Sequence, residues 1–417
     1  MLVLILCIVI VSFFINYRKS MLLIAPLNAF CAQTMIVGQF SFKSILVFVS
    51  TLFFVINYRK VFCKNDSFPL LLPFIFMILS RSIGVFMGVF HFNSLFSVLM
   101  DNYVFCFLLY YCIKDKNDVS LLVWSIFAFI LIMLLNSFVE YASGQSINPL
   151  SSFVKSNSSQ RIFFSEDDYS RGIRIRSGYP HSIVYGDICS LFMYFFYCCY
   201  FRIKKSFLFL GIFVLLVLGV YLSASRTPIL GVLVFSIPVI LNKRNISGRG
   251  FLIFTLLIIG ASFFYEYIFT ALDSMFNSNS KTEVGGSSMD LRMQQFEACF
   301  MIISDNFYFG LGSEFNLERW SYVLAGCESV WFELLCRQGI VGCVIYASIY
   351  IFMSLKSVRN PLFKEIFFLG LGWLIMSTAS NLTGMDIYPL ILTFIILYKY
   401  GVFLKAADNS KKQLLIN

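Results

Sequence analysis

Apolar runs of about 20 residues, parted by short basic clusters, recur along the whole chain. A run of that length is what a helix needs to cross the hydrocarbon core of a bilayer. In lipid, only helices and closed barrels leave no backbone group unsatisfied. Spans are read near 2–16, 21–37, 44–58, 68–89, 94–113, 119–139, 184–201, 206–223, 227–242, 251–271, 329–355, 362–380 and 386–404. With 59% of the 417 residues hydrophobic and 13% charged, a soluble domain could not bury this surface. The expected fold is an all-α polytopic integral membrane protein with about 12–13 transmembrane helices. Leu2–Ile15 lacks a basic leader and a small-residue cleavage site, so it reads as a first span or anchor.

Basic clusters fall at every second junction: Arg18-Lys19, Arg59-Lys60, Lys114 with Lys116, Arg202 with Lys204-Lys205, Lys243-Arg244 with Arg249, Lys356 with Arg359 and Lys364, and Lys411-Lys412. One alternating assignment puts all of them in the cytoplasm. The formal charge of +10 is therefore a topology signal, and no segment offers the basic face that nucleic acid would need. The C-terminus then lies inside. The N-terminus lies outside with thirteen spans, or inside if an early segment is re-entrant. The chain divides into N-terminal helices (1–139), a first outer loop (140–183), central helices (184–271), a second outer loop (272–328), and C-terminal helices with a tail (329–417). Outer loops this long are usually functional or disordered.

Arginine and lysine should be scarce on that outer face, yet several gather there. The first loop carries Arg171, Arg174 and Arg176, then Tyr179 and His181, with Asp187 in the next span. Arg226 stands in the short turn Ser223-Ala-Ser-Arg-Thr-Pro228. The second loop carries Lys281 and Arg292, then Gly310-Leu-Gly312. Guanidinium groups bond phosphate oxygens in pairs and stay charged at any physiological pH. Convergent arginines at the outer headgroup level suit a pyrophosphate whose lipid tail stays in the bilayer. The alternative partners are Glu166, Asp167, Asp168 or anionic headgroups, an alternative weaker for Arg226, whose turn has no acidic neighbour.

Glu328 marks the point where the second loop re-enters the membrane. Partial desolvation there would make it a better base, although it could equally cap a helix. Asp187 and His181 carry the same ambiguity. Inside the membrane, Arg81 and Asp101 lie at similar distances on either side of the turn near His91, which predicts a buried ion pair. Cys299 and Cys327 share an outer loop, where a disulfide could form, although no framework of paired cysteines surrounds them. No nucleotide-binding motif, metal-ligand spacing or carboxylate metal cluster is present, so neither cofactor nor metal is expected.

With these residues in view, roughly 120–405 of the chain resembles the O-antigen polymerase and O-antigen ligase superfamily. Ser223-Ala-Ser-Arg226 followed by Leu230 looks like its Ser-Arg and Arg-x-x-x-Leu pattern. Arg292 with Gly310-Leu-Gly312 looks like its loop element, and Glu328-Ser-Val-Trp-Phe-Glu-Leu-Leu-Cys-Arg-Gln-Gly-Ile-Val-Gly342 like the segment closing the second loop. Glu328-Ser329 stands where ligases of lipid A–core typically carry His-Asn, which favours a Wzy-type polymerase. The resemblance implies a glycosyltransferase of the bacterial inner membrane, working at the periplasmic face on undecaprenyl-diphosphate-linked repeat units. A chain-length regulator is a further expected partner. In that reading Arg226 and Arg292, with Arg174 or Arg176, stabilise the leaving pyrophosphate. Glu328 is the base, with Asp187 or His181 as alternates. The rivals are a ligase and a flippase for the same lipid-linked sugars; the repeated halves common in transporters are not seen.

Overall fold

The protein is seen as a computed structural model that describes residues 2–30, 35–37, 40–62, 67–92, 103–143, 175–177, 179, 181–241, 289–315, 329–380 and 387–416. Its helices in chain order are α1 (Leu2–Phe30), α2 (Phe42–Val61), α3 (Leu71–Phe86), α4 (Val104–Cys112), α5 (Lys116–Ser143), α6 (Ser182–Cys198), α7 (Phe207–Leu222), α8 (Arg226–Leu241), α9 (Met289–Ile302), α10 (Val330–Ser357), α11 (Phe363–Ala379) and α12 (Tyr388–Ile416). The strands Met35–Val37 and Phe40–Ser41 pair antiparallel between α1 and α2. The described residues are otherwise chiefly helical, as hydropathy predicts.

Among the described residues six helices are long and apolar enough to cross a membrane: Leu4–Asn28, Phe42–Val61, Lys116–Ser143, Ser182–Ile203, Val330–Ser357 and Tyr388–Ser410. Leu71–Phe86, Phe207–Leu222 and Thr227–Pro238 are shorter apolar helices. Large apolar side chains such as Phe14, Ile15, Ile56, Phe86, Ile132 and Phe207 stand exposed on them, as lipid-facing residues should. The predicted span 251–271 lies outside the described residues.

Two expected spans, 2–16 and 21–37, meet inside α1. Asn16 leaves the helical region (φ −155°, ψ 91°), and its side-chain oxygen accepts from the Lys19 amide (3.1 Å). Ser20 Oγ donates to the Ser12 carbonyl at 2.9 Å. Eight residues of straight helix would hold those groups roughly 12 Å apart. The chain therefore folds back at Asn16, which caps the returning helix, so Leu4–Asn28 is two shorter apolar helices and not one straight crossing.

The described basic junctions gather at one end of the bundle. Arg18 bridges to Asp118 (3.5 Å), Arg202 bridges to Glu365 (2.6 Å), and Lys114 Nζ donates to the Val61 carbonyl. Asn360 Nδ2 donates to the Tyr398 carbonyl (3.0 Å), which draws in the α10–α11 link. The core centres on α6, which packs against α7, α8 and α11. Every residue from Tyr185 to Cys199 is buried, so this helix is enclosed on all sides and presents no polar stripe.

Candidate functional site

At the end of the bundle away from the basic junctions, α7 gives way to α8 through a tightly held turn. Ser223 Oγ donates to the Val220 carbonyl (2.6 Å) and Ser225 Oγ to the Ser223 carbonyl (3.0 Å). These short hydroxyls offer the backbone an alternative to continuing the helix. Ala224 takes φ 47°, a left-handed conformation that costs an alanine strain and persists only where the surroundings impose it.

The surroundings are α6. Ser190 Oγ donates to the Pro228 carbonyl (2.9 Å), and the hydroxyls of Ser182 and Ser225 meet at 3.4 Å. Gly186 lies between them. A methyl group there would fall 2.5 Å from both Pro228 Cγ and Ser223 Oγ, so only glycine lets the turn seat this closely. The seated turn starts α8 at Arg226, at the positive end of the helix dipole. Pro228 in the first helical turn lacks an N–H that would in any case have no partner within the helix.

The close of the first loop docks on the same turn. The Ile175 amide donates to the carbonyl of Leu222, the last residue of α7 (3.1 Å). The next two amides, Arg176 and Ser177, both donate to the Glu140 carboxylate, at 3.0 and 2.7 Å. Ser177 takes φ 47° and its hydroxyl donates to the Met133 carbonyl. Charge-assisted bonds of this kind are roughly twice as strong as neutral ones. Buried Glu140 thereby fixes the backbone of Arg176, whose neighbour Ile175 bonds Leu222, four residues before Arg226 in the chain. Tyr179 is also buried, with its amide on the Arg176 carbonyl (2.9 Å). Sequence reasoning missed Glu140, whose only signal is a single carboxylate ending an otherwise apolar run.

His181 is the N-cap of α6, its Nδ1 accepting from the Ile183 amide (3.1 Å). With that nitrogen accepting, Nε2 carries the proton, so the ring's outer edge is a donor and not a base. Asp187, expected at the mouth of the span, is wholly enclosed within α6, one turn from Ser190.

The second loop closes on α9 and α10. Arg292 lies on α9, one turn before Phe296, whose ring packs on Phe332 of α10 (6.1 Å). Cys299 is buried, and its thiol donates to the Phe332 carbonyl (3.7 Å). Its suggested partner Cys327 lies outside the described residues. Ser329, not Glu328, supplies the cap of α10, accepting from the Trp331 amide (3.4 Å). Trp331 Nε1 donates to Thr378 Oγ1 (2.9 Å), tying the start of α10 to the end of α11.

The expected span 329–355 is a single apolar run, but its helix breaks. Gly339 takes φ 62°, ψ −164°, a conformation open essentially to glycine alone. The backbone of 307–311 fills the gap. Ile340 and Val341 amides donate to the Phe307 and Tyr308 carbonyls (3.1 and 3.2 Å), and the Leu311 amide donates to the Cys336 carbonyl (2.8 Å). A methyl on Gly310 would sit 2.5 Å from the Cys336 carbonyl oxygen, so this glycine lets the turn approach α10 closely, while Gly312 makes the matching approach to Val89. Broken helices are tolerated at membrane depth where protein re-satisfies the freed groups, as here.

Arg171, Arg174, Lys281, Glu328 and Asp101 lie outside the described residues. Arg81 is buried, its guanidinium 4.3 Å from the centre of the Phe90 ring. Among the described residues no group of three or more histidine, cysteine or acidic side chains could hold a metal. What converges at this end are the N-termini of α6 and α8, in contact through Ser182 and Ser225, with Arg226 opening one helix and Arg176 docked beside it. Helix N-termini with adjacent arginines form a site for an anion.

No curated protein matches the chain. Residues 211–347, which run from α7 past the break in α10, match the family described as O-antigen ligase. That match takes in Arg226, Arg292, Gly310 and Gly339, and it supports the chain's place in the O-antigen polymerase and ligase superfamily.

Proposed function

We infer that the chain is an O-antigen polymerase that moves a growing glycan from its undecaprenyl diphosphate onto a new lipid-linked repeat unit. The supporting observation is the joined start of α6 and α8, with Arg226 at one and Arg176 held beside it by Glu140. In the reaction the bond between the donor's anomeric carbon and its phosphate oxygen breaks. A new bond forms from that carbon to an acceptor hydroxyl. Charge develops on the departing diphosphate, where Arg226, Arg176 and Arg292, with Arg171, Arg174 and Lys281 in support, would stabilise it. Removing one such fixed donor in other enzymes costs roughly 10²–10³ in rate.

Glu328, next to the cap of α10, takes the acceptor's proton. Asp187 and His181 suit this role less well, the first because it is enclosed and the second because its accepting nitrogen already holds an amide. His181 Nε2–H instead fits a donor to a phosphate oxygen. The basic end faces the cytoplasm and the site faces the periplasm, with a chain-length regulator as partner.

The second reading is a ligase, favoured by the likeness of residues 211–347 to the O-antigen ligase family. A strain lacking the gene separates them. Lipopolysaccharide capped with one repeat unit is the polymerase outcome, whereas bare core with accumulating long lipid-linked glycan is the ligase outcome. Long capped chains persisting in that strain would sink both.

A further inference from the structure

The break at Gly339 folds α10 into two arms that lie side by side. The Trp331 and Tyr346 rings meet at 5.4 Å, and the Cys343 thiol donates to the Trp331 carbonyl at 3.9 Å. Straight helix would hold those pairs roughly 18–22 Å apart. The first arm, 330–338, is therefore a short segment that depends on its neighbours for its place. Trp331 Nε1 ties it to Thr378 of α11. On another side it is covered by α9, and that contact carries two cysteines, Cys299 and Cys336.

The two segments run in step. Phe296 packs on Phe332, the Cys299 thiol donates to the Phe332 carbonyl (3.7 Å), and further along the Leu311 amide donates to the Cys336 carbonyl (2.8 Å). This register sets Cys299 against the turn from Phe332 to Cys336. Inside a helix the Phe332 carbonyl accepts the Cys336 amide at roughly 3 Å, so the Cys299 sulfur lies at most about 7 Å from the Cys336 nitrogen. Both cysteines are fully buried, in one small apolar cluster with Ala298, Ile303, Phe315 and Leu335.

We propose that Cys299 and Cys336 are joined by a disulfide that staples α9, and Arg292 with it, to the first arm of α10. Bridged cysteines have Cα atoms about 4.4–6.8 Å apart, a spacing that the thiol-to-carbonyl contact at the same turn already approaches. The structure shows the reduced form, in which Cys299 still donates its proton. Oxidation takes a second protein's disulfide as acceptor. One thiolate attacks it to give a mixed disulfide, and the other thiolate displaces that protein's sulfur. The two protons end on the second protein, which departs as a dithiol. This exchange precedes closure of the cluster, because both sulfurs are enclosed afterwards. The proposal rests on the periplasmic placement of the second loop given above, since that side is oxidising, and not on the reaction assigned to the chain.

Peptide mapping of the full chain, alkylated in denaturant before any reduction, tests the bond. The expected result is a peptide pair joined through Cys299 and Cys336, released by reduction. A bond from Cys299 to Cys327, or from either cysteine to Cys343, overturns the pairing. Asp305, exposed just after α9, reports the side of the membrane independently. D305C should react with a membrane-impermeant maleimide in spheroplasts, above the labelling of the unaltered chain. Both cysteines alkylated while D305C is labelled overturns the disulfide alone and leaves the proposed function standing. Both alkylated while D305C is shielded overturns the disulfide and removes the periplasmic site as well.

Discussion

The two ends of the bundle handle charge in opposite ways. At the basic end a cation meets an acid from a neighbouring helix, as in Arg18 with Asp118 and Arg202 with Glu365. At the other end the buried acid Glu140 holds two backbone amides, Arg226 opens a helix, Arg81 faces the Phe90 ring, and Arg337 meets Glu333 one turn away on its own helix. The first arrangement neutralises and anchors. The second keeps positive potential in place, at a cost in stability that a bound anion would offset.

Substitutions can break this contrast. The largest effect is expected from Arg226→Lys, which keeps the charge but loses the paired donors: glycan polymerisation in membranes should fall about 100-fold or more at normal protein level. Full activity would make Arg226 a headgroup anchor and leave the two ends alike. Glu140→Ala comes next. It strands two buried amides at about 1–3 kcal/mol each and frees the backbone of Arg176, so both melting temperature and activity should drop. Gly186→Ala sharpens the picture through its sign. In an ordinary helix that change stabilises by about 1 kcal/mol. Here the new methyl meets Pro228 and Ser223, so a lower melting temperature is expected, together with slowed polymerisation. The smallest effect on polymerisation belongs to the basic end. Arg202→Gln leaves the buried Glu365 carboxylate without its cation, so the melting temperature should fall, at about 1–3 kcal/mol, while polymerisation stays unchanged.

Hydropathy made most of the helices legible, because a membrane span announces itself by length. It even separated the halves of α1, where Arg18 and Lys19 interrupt the apolar run just after Asn16. It did not reveal the break at Gly339, since Leu334 to Val341 remains compatible with a continuous helix and the cause is a contact with residues 307–311. Arg226 was legible as a cation on the wrong side, and the structure adds the α6 surface that seats its turn. Glu140 was not legible, because its role is to hold backbone amides some 36 residues away, a pairing no local pattern encodes. Glu328 was read as a base or a cap; the cap of α10 is its neighbour Ser329, whose short hydroxyl accepts from the Trp331 amide.

The patch of 307–311 against Gly339 also bears on how the protein is made. Residues 307–311 leave the ribosome before α10 does, so the carbonyls that complete the broken helix already exist when it enters the bilayer. Were that order reversed, as in a permuted chain beginning at Ser329, α10 would meet hydrocarbon with its Ile340 and Val341 amides bare. Biogenesis of such a chain should stall at insertion, a stage where neither substrate nor catalysis has any part.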